Sequence, residues 1–209
     1  MAVIPGNIVT TEAYITNADV KDTAAITRDK IAQTPLAVFP VDFEMLRVHD
    51  AYQTVLPGTS TTDDLGLYGG TFTTSSQLVR TYDVKAVGLT TLYARFRVTL
   101  PVEYDAAETL ELRFNAGMVT TVADVSCTID LQAYKVNRAG SIGSDLCSTA
   151  AITMNSLTYA NKTFTITATG LAAGDVLDCR VAVAVNDAAT GTAVIAAIGA
   201  IELLADIKG

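Results

Sequence analysis

The sequence contains no tryptophan, one histidine and three cysteines among its 209 residues. The single histidine, His49, is not accompanied by a GxSxG elbow or a reactive-cysteine motif, so no catalytic triad is predicted around it. One histidine and three scattered cysteines also lack the ligand spacing of a zinc site. We therefore predict that the protein holds no metal and no cofactor.

Carboxylates are plentiful but dispersed, and no sequence feature places any two of them together. The candidates are Glu103, Asp105, Asp124, Asp130, Asp175, Asp178 and Asp187. A glycosidase needs two carboxylates that face one glycosidic bond, and such sites usually add aromatic platforms that a chain without tryptophan lacks. We therefore predict that the protein is not an enzyme and that it has no catalytic residues.

Positive charge is scarce, with 14 Lys and Arg residues against 22 Asp and Glu residues and a net charge of -8. No basic field is available to attract phosphates or anionic lipids, which excludes nucleic-acid and membrane partners. The amino terminus lacks the basic and apolar regions of a signal peptide. Three cysteines without CxxC spacing favour reduced thiols. These features predict a soluble protein that is made in a cytosol.

Threonine and alanine are abundant, at about thirty residues each, and several segments alternate strictly between apolar and polar residues. The clearest segments are LYARFRVTL from Leu92, TLELRFNAG from Thr109 and ADVSCTIDLQAYK from Ala123. A period of two is typical of a strand with one buried face. A further strand is predicted at Phe43–Val48, which gives about eight to ten strands and almost no helical periodicity. Long connections between them favour an all-β, antiparallel β-sandwich of the jelly-roll type.

The first 35 residues differ from the rest because they carry alternating charges, few large apolar groups and no sustained period. We predict an extended arm at 1–35 that ends at Pro35, and a β-sandwich domain at 36–209. The segment Ile26-Thr27-Arg28-Asp29-Lys30-Ile31 combines apolar and charged side chains in this arm. The alternatives are a disordered tail and a short helix around Asp29 to Gln33 that Thr27 would cap.

The stretch from Thr163 to Ile207 holds two long strand patterns that are poor in charge on both faces. A strand of that kind needs cover on each face, and weakly charged edge strands are usually protected by association. Ala184 and Ala196 are therefore predicted to lie at an interface between subunits. The protein is expected to form a homo-oligomer.

The arm AITRDKIAQTP and the ending GLAAGDVLDCRVAVAVND…IELLADIKG together resemble virion structural proteins of tailed bacteriophages, of the capsid-decoration or head-fibre type. The resemblance implies a trimer on the capsid surface, made in the cytoplasm of a host bacterium. It also implies a capsid protein or another virion protein as the partner. The attachment residues would be Ile26, Arg28, Asp29, Lys30 and Ile31.

The alternative is a module that binds carbohydrate or a host surface, since such modules also have the β-sandwich form. Its predicted sugar-stacking residues are the loop tyrosines Tyr52, Tyr68, Tyr104 and Tyr159. Binding of the purified domain to a glycan array or to cell surfaces would support this alternative, and the absence of any binding would count against it.

Overall fold

The computed structural model describes residues 36–137, 139–188 and 191–207. Ten β-strands lie in these ranges. They are β1 (Ala37–Pro40), β2 (Gly66–Tyr68), β3 (Leu78–Arg80), β4 (Gly88–Thr99), β5 (Leu110–Met118), β6 (Ser126–Lys135), β7 (Ile152–Thr153), β8 (Ala160–Thr165), β9 (Val176–Asp187) and β10 (Ala196–Ala205). The remaining regular element in the described ranges is a 3-10 turn at Phe43–Met45. The all-β fold class is therefore confirmed.

The strands form two antiparallel sheets. The first sheet has the order β2-β3-β10-β5-β8, with β1 also paired to β10, and the second has the order β4-β9-β6-β7. Because β8, β9 and β10 alternate between the two sheets, the chain crosses the sandwich repeatedly, as jelly-roll folds do. The described ranges hold no helix of the length and apolarity that a bilayer crossing requires.

The core lies between the two sheets and follows the alternation of the sequence. In β4, Leu92, Ala94 and Phe96 are fully buried, while the residues between them are half-exposed. The rings of Phe96 and Phe114 meet edge to face at 6.3 Å between centroids, and Phe164 meets Phe114 at 5.7 Å. These three rings join β4 of one sheet to β5 and β8 of the other. Aromatic contacts of this geometry stabilise a core beyond the burial of their area.

The predicted strand at Phe43–Val48 is wrong. The side chain of Asp42 accepts a hydrogen bond of 3.0 Å from the backbone amide of Glu44 and so caps the 3-10 turn. This local bond competes with an extended backbone. Leu46 is the fully buried residue of the segment.

The structure separates the two alanines that were predicted to lie at a subunit interface. Ala196 is fully buried in the chain's own core, where a neighbouring subunit has no access, so its assignment to an interface is corrected. Ala184 is half-exposed on the outer face of β9, and its interface role stays a prediction. The attachment residues Ile26, Arg28, Asp29, Lys30 and Ile31, with the rest of the arm, lie outside the described residues.

Candidate functional site

The outer face of the four-stranded sheet carries a regular array of polar side chains. Strands β4, β9 and β6 lie side by side, so every second residue of each strand meets its neighbours in a row across this face. Four successive rows are Arg97–Asp178–Tyr134, Arg95–Arg180–Gln132, Tyr93–Ala182–Asp130 and Thr91–Ala184–Thr128. Two rows therefore have a charged residue at the centre, and two have an alanine.

The two central alanines create a depression along β9. Ala182 and Ala184 are short, and the side chains of β4 and β6 rise on both sides of them. The resulting cavity of about 290 Å³, here called the β9 furrow, is lined by Thr91, Tyr93, Thr128, Asp130, Gln132, Ala151, Arg180, Ala182 and Ala184. One wall presents the ring of Tyr93, and hydroxyl, carboxylate and amide groups line the rest. The furrow thus combines an aromatic surface with hydrogen-bonding groups.

Arg180 closes one end of the furrow. Its Nη2 donates a hydrogen bond to Oε1 of Gln132, and its guanidinium lies 5.0 Å from the ring centroid of Tyr93. An arginine placed over an aromatic ring is attracted by the electrons of the ring face. These two contacts orient the guanidinium within the furrow and leave further N–H groups to meet a ligand.

A second cluster, centred on Asp178, lies beside Arg180. Nε and Nη2 of Arg95 donate to the two carboxylate oxygens of Asp178 at 2.6 and 2.5 Å, and Arg97 donates twice to Oδ2 at 3.1 Å. Burial by itself raises the pKa of Asp178, but the hydrogen bonds and charges of Arg95 and Arg97 outweigh burial and lower that pKa. Asp178 is thus a carboxylate at neutral pH. Tyr52 lies under both guanidiniums, at 5.1 Å from Arg95 and 4.4 Å from Arg97.

His49 completes the edge of the site. The loop that follows the 3-10 turn runs along the free edge of β4, where backbone bonds join Arg47 to Arg95. This position brings His49 to 4.7 Å from the ring of Tyr93 and places its Nδ1 3.1 Å from Oδ1 of Asp64. The imidazole therefore supports the Tyr93 ring from the side of the loop.

The furrow continues into two neighbouring clefts. One, of about 330 Å³, shares Gln132 and Arg180 with the furrow and reaches Tyr134 and Ile142. The next, of about 540 Å³, shares Ile142 and extends to Lys135 and Asp175. The three clefts form a continuous surface along the sheet, which suits an elongated ligand better than a small compact one.

The loop tyrosines proposed for sugar stacking lie in three different environments. Tyr104 is fully buried and donates to the backbone oxygen of Glu108 at 2.9 Å, so its proposed role is wrong. Tyr52 lies at the site through its contacts with Arg95 and Arg97. Tyr68 and Tyr159 lie with the other sheet, where the guanidinium of Arg80 stacks 3.6 Å above the ring of Tyr68 and the ring of Tyr159 lies near Gly117 and Gly199.

Sequence reasoning listed Asp130 among dispersed carboxylates and missed Tyr93, Gln132 and Arg180, although a signal was present. Tyr93, Asp130, Gln132 and Arg180 all occupy the polar positions of alternating strands. Such positions are normally exposed to solvent, and their residue types alone do not indicate a binding site. Here they form one site because β4, β9 and β6 are neighbours in one sheet.

The described residues offer little metal or thiol chemistry. No three His, Cys, Asp or Glu side chains converge on one point within the described ranges. Cys127, Cys147 and Cys179 are free thiols. Burial raises the pKa of Cys127 to about 12, and burial also raises the pKa values of Cys147 and Cys179. The three sulfurs are therefore protonated at neutral pH and are poor nucleophiles.

No protein-family model matches this chain, and no curated protein matches it. Among solved structures, the chain is similar to the CBM22-1 xylan-binding domain from Paenibacillus barcinonensis Xyn10C, at 8% identity and a TM-score of 0.40 over 85% of this chain and 98% of that one. It is also similar to the xylan-binding module CBM15, at 14% identity and a TM-score of 0.40 over 83% and 99%.

A third similar structure is the enzymatically active domain of bacteriophage CBA120 tailspike protein 4. It shares 14% identity at a TM-score of 0.37, over 70% of this chain and 18% of that one. TM-scores this low carry no argument about this chain. The fold and the candidate site are therefore described from the strands and side chains of this chain alone.

Proposed function

We propose that this protein is a carbohydrate-binding module that holds a glycan along the β9 furrow. The observation that carries the proposal is the combination of the Tyr93 ring with hydrogen-bonding side chains on both walls of one open furrow. Binding sites are usually concave and place a few polar groups around an apolar surface. The furrow and the clefts beside it have this composition.

The chemistry of a sugar ring fits these walls. A pyranose has apolar C–H groups on its faces, which can pack against the part of the Tyr93 ring that lines the furrow, and hydroxyl groups around its rim. Gln132 and Asp130 offer acceptor oxygens to those hydroxyls, and Arg180 offers donors. Ala182 and Ala184 supply the low floor on which the ring can lie. These residues therefore combine an apolar contact surface, hydrogen-bonding groups and a low floor for a sugar.

The proposed function is binding and not catalysis. Sugar cleavage pairs a carboxylic acid with a second carboxylate, and Asp130 is the carboxylate that lines the furrow. Asp178, in the adjoining cleft, is held as a carboxylate by two arginines, since its pKa is lowered. It is therefore unsuited to act as a general acid.

Filling the furrow is expected to abolish glycan binding without unfolding the protein. Ala182→Tyr places a ring where the ligand would lie, and Ala182 points to solvent, so the core is untouched. We expect the affinity for a bound polysaccharide, measured by affinity gel electrophoresis over a panel of plant, algal and bacterial polysaccharides, to fall by at least about 100-fold. Ala173→Tyr, in an exposed turn, is the matched control. If both variants bind as the wild type does, the furrow is not the site.

The resemblance to phage virion proteins supports a second proposal, which concerns the arm. In a trimer, three arms would attach together, and weak contacts would add through their effective concentration. Deleting residues 1–35 is expected to leave a folded domain that no longer binds particles lacking the protein, as measured by co-sedimentation. A truncated protein that still binds such particles would show that attachment does not need the arm.

A further inference from the structure

Within the part of the chain that the structure describes, Arg180 is a cation without an acidic partner. Its contacts are the amide oxygen of Gln132 and the ring of Tyr93, and among the described residues no carboxylate lies within ion-pairing distance of it. We propose that the ligand of the β9 furrow is an acidic glycan, and that Arg180 binds a carboxylate of a uronic acid residue. This inference rests on the proposed carbohydrate-binding function and adds the charge of the ligand.

Of the two acids nearest to Arg180 in the sheet, one pairs with other arginines and the other accepts a hydrogen bond from its own strand. Asp178 lies two residues before Arg180 on the same face, and its two oxygens are taken by Arg95 and Arg97. Asp130 lies one row further along on β6, and its Oδ1 accepts a hydrogen bond of 2.9 Å from the amide of Leu131. The sheet therefore contains acids close enough to pair with Arg180, yet it holds them apart from it.

The balance of charge around Arg180 favours an anion. Arg95, Arg97 and Arg180 carry three positive charges, against the two negative charges of Asp178 and Asp130. At the edge of the site, Oδ1 of Asp64 lies 3.1 Å from Nδ1 of His49, and Asp130 lines the furrow on β6, one row from Arg180. A positive centre of this kind contrasts with a chain whose net charge is -8. Acids beyond about 8 Å are screened at physiological salt, so the charges that a ligand in the furrow meets are those of the three arginines, Asp178 and Asp130.

A carboxylate matches the free edge of this guanidinium in shape as well as in charge. Arginine offers parallel N–H donors that bind the two oxygens of a carboxylate together. A neutral sugar offers single hydroxyl oxygens, which satisfy one donor at a time and leave the charge of a half-buried guanidinium uncompensated. The furrow should therefore discriminate a uronic acid from the corresponding neutral sugar.

The test uses the full chain with polygalacturonate, alginate and glucuronoxylan, each compared with its carboxyl-reduced form. Isothermal titration calorimetry is expected to show binding to at least one acidic polymer and a loss of about 10- to 100-fold when its carboxylates are reduced to alcohols. Arg180→Gln should cause a similar loss for the acidic polymer and little change for the reduced one. Arg180→Lys should retain part of the affinity, because the charge remains. Arg113→Gln, on the outer face of the other sheet, is the control.

The outcomes separate this inference from the proposed function. Equal binding of an acidic polymer and its reduced form would overturn the acidic ligand while leaving a carbohydrate-binding furrow. The absence of binding to all six polymers and to a neutral panel would overturn both. Tighter binding to dextran sulfate than to any polyuronate would overturn the carboxylate assignment in favour of a sulfated ligand. Circular dichroism of Arg180→Gln and Arg180→Lys shows that a loss of affinity is not a loss of fold.

Discussion

Replacing Phe114 with alanine is expected to lower the free energy of unfolding by about 4 kcal/mol, within the range of about 3–5 kcal/mol for such a truncation in a core. Phe114 is fully buried and lies between Phe96 and Phe164, which it meets edge to face. Its loss would open a cavity between the two sheets and remove both aromatic contacts. For a domain of this size, thermal unfolding should shift down by roughly 8–16 °C, at about 2–4 °C per kcal/mol.

The chain offers a matched control for this truncation. Phe72 is 92% exposed, so Phe72→Ala removes the same atoms without making a cavity. Its unfolding midpoint is expected to stay within about 0.5 kcal/mol of the wild type. Chemical denaturation of both variants measures the difference. Equal destabilisation of the two would contradict the central position of Phe114 in the core.

Replacing Asp178 with asparagine is expected to lower the free energy of unfolding by about 2–3 kcal/mol at neutral pH. Removing one partner of a fully buried ion pair costs about 3–5 kcal/mol, because the other charge is left without compensation. Asp178 is 10% exposed, but its partners Arg95 and Arg97 are 28% and 40% exposed. Water can therefore solvate part of the uncompensated charge, which reduces the cost.

The effect of Asp178→Asn should depend on pH in a defined direction. Although burial alone would raise it, the pKa of Asp178 is lowered in the folded protein by Arg95 and Arg97. A carboxylate with a lowered folded pKa stabilises the protein above its unfolded pKa of about 4, and this contribution disappears as the pH falls through the folded pKa. The difference between wild type and variant should thus be full at pH 7 and narrow below about pH 4.

Urea denaturation across this pH range measures the effect, with Asp124→Asn as the control. Asp124 is exposed, so its replacement should change stability by less than about 0.5 kcal/mol. A difference between wild type and Asp178→Asn that stays constant down to pH 2 would show that the Asp178 carboxylate does not carry the interaction.

Much of the fold can be predicted from the sequence, because the alternation of apolar and polar residues in each strand indicates which of its faces is buried. The alternation in LYARFRVTL places Leu92, Ala94 and Phe96 on one side, and all three are fully buried. The same holds for Cys127 and Ile129 in β6. The period of two is a local property of an extended backbone, so it can be recognised without knowing which strands are neighbours.

Predictions from local sequence were wrong in two situations. In one, a side chain formed a hydrogen bond that competed with an extended backbone; in the other, residues distant in the sequence buried the predicted surface. Asp42 turned the predicted strand at Phe43–Val48 into a 3-10 turn through one short-range hydrogen bond. Ala196 was predicted to lie at a surface because its segment is apolar on both faces. In the structure, Ala196 belongs to the hydrophobic core between the two sheets of its own chain.

The sequence by itself determined the all-β class, the strands with one polar face and the net charge of -8. The tertiary structure alone decided that β4 and β6 flank β9. That arrangement brings Tyr93 and Asp130, which are 37 residues apart in the sequence, to opposite walls of one furrow with Arg180 at its end. Which strands pair with each other depends on the packing of the whole chain, so the alternation of apolar and polar residues within one strand cannot predict it.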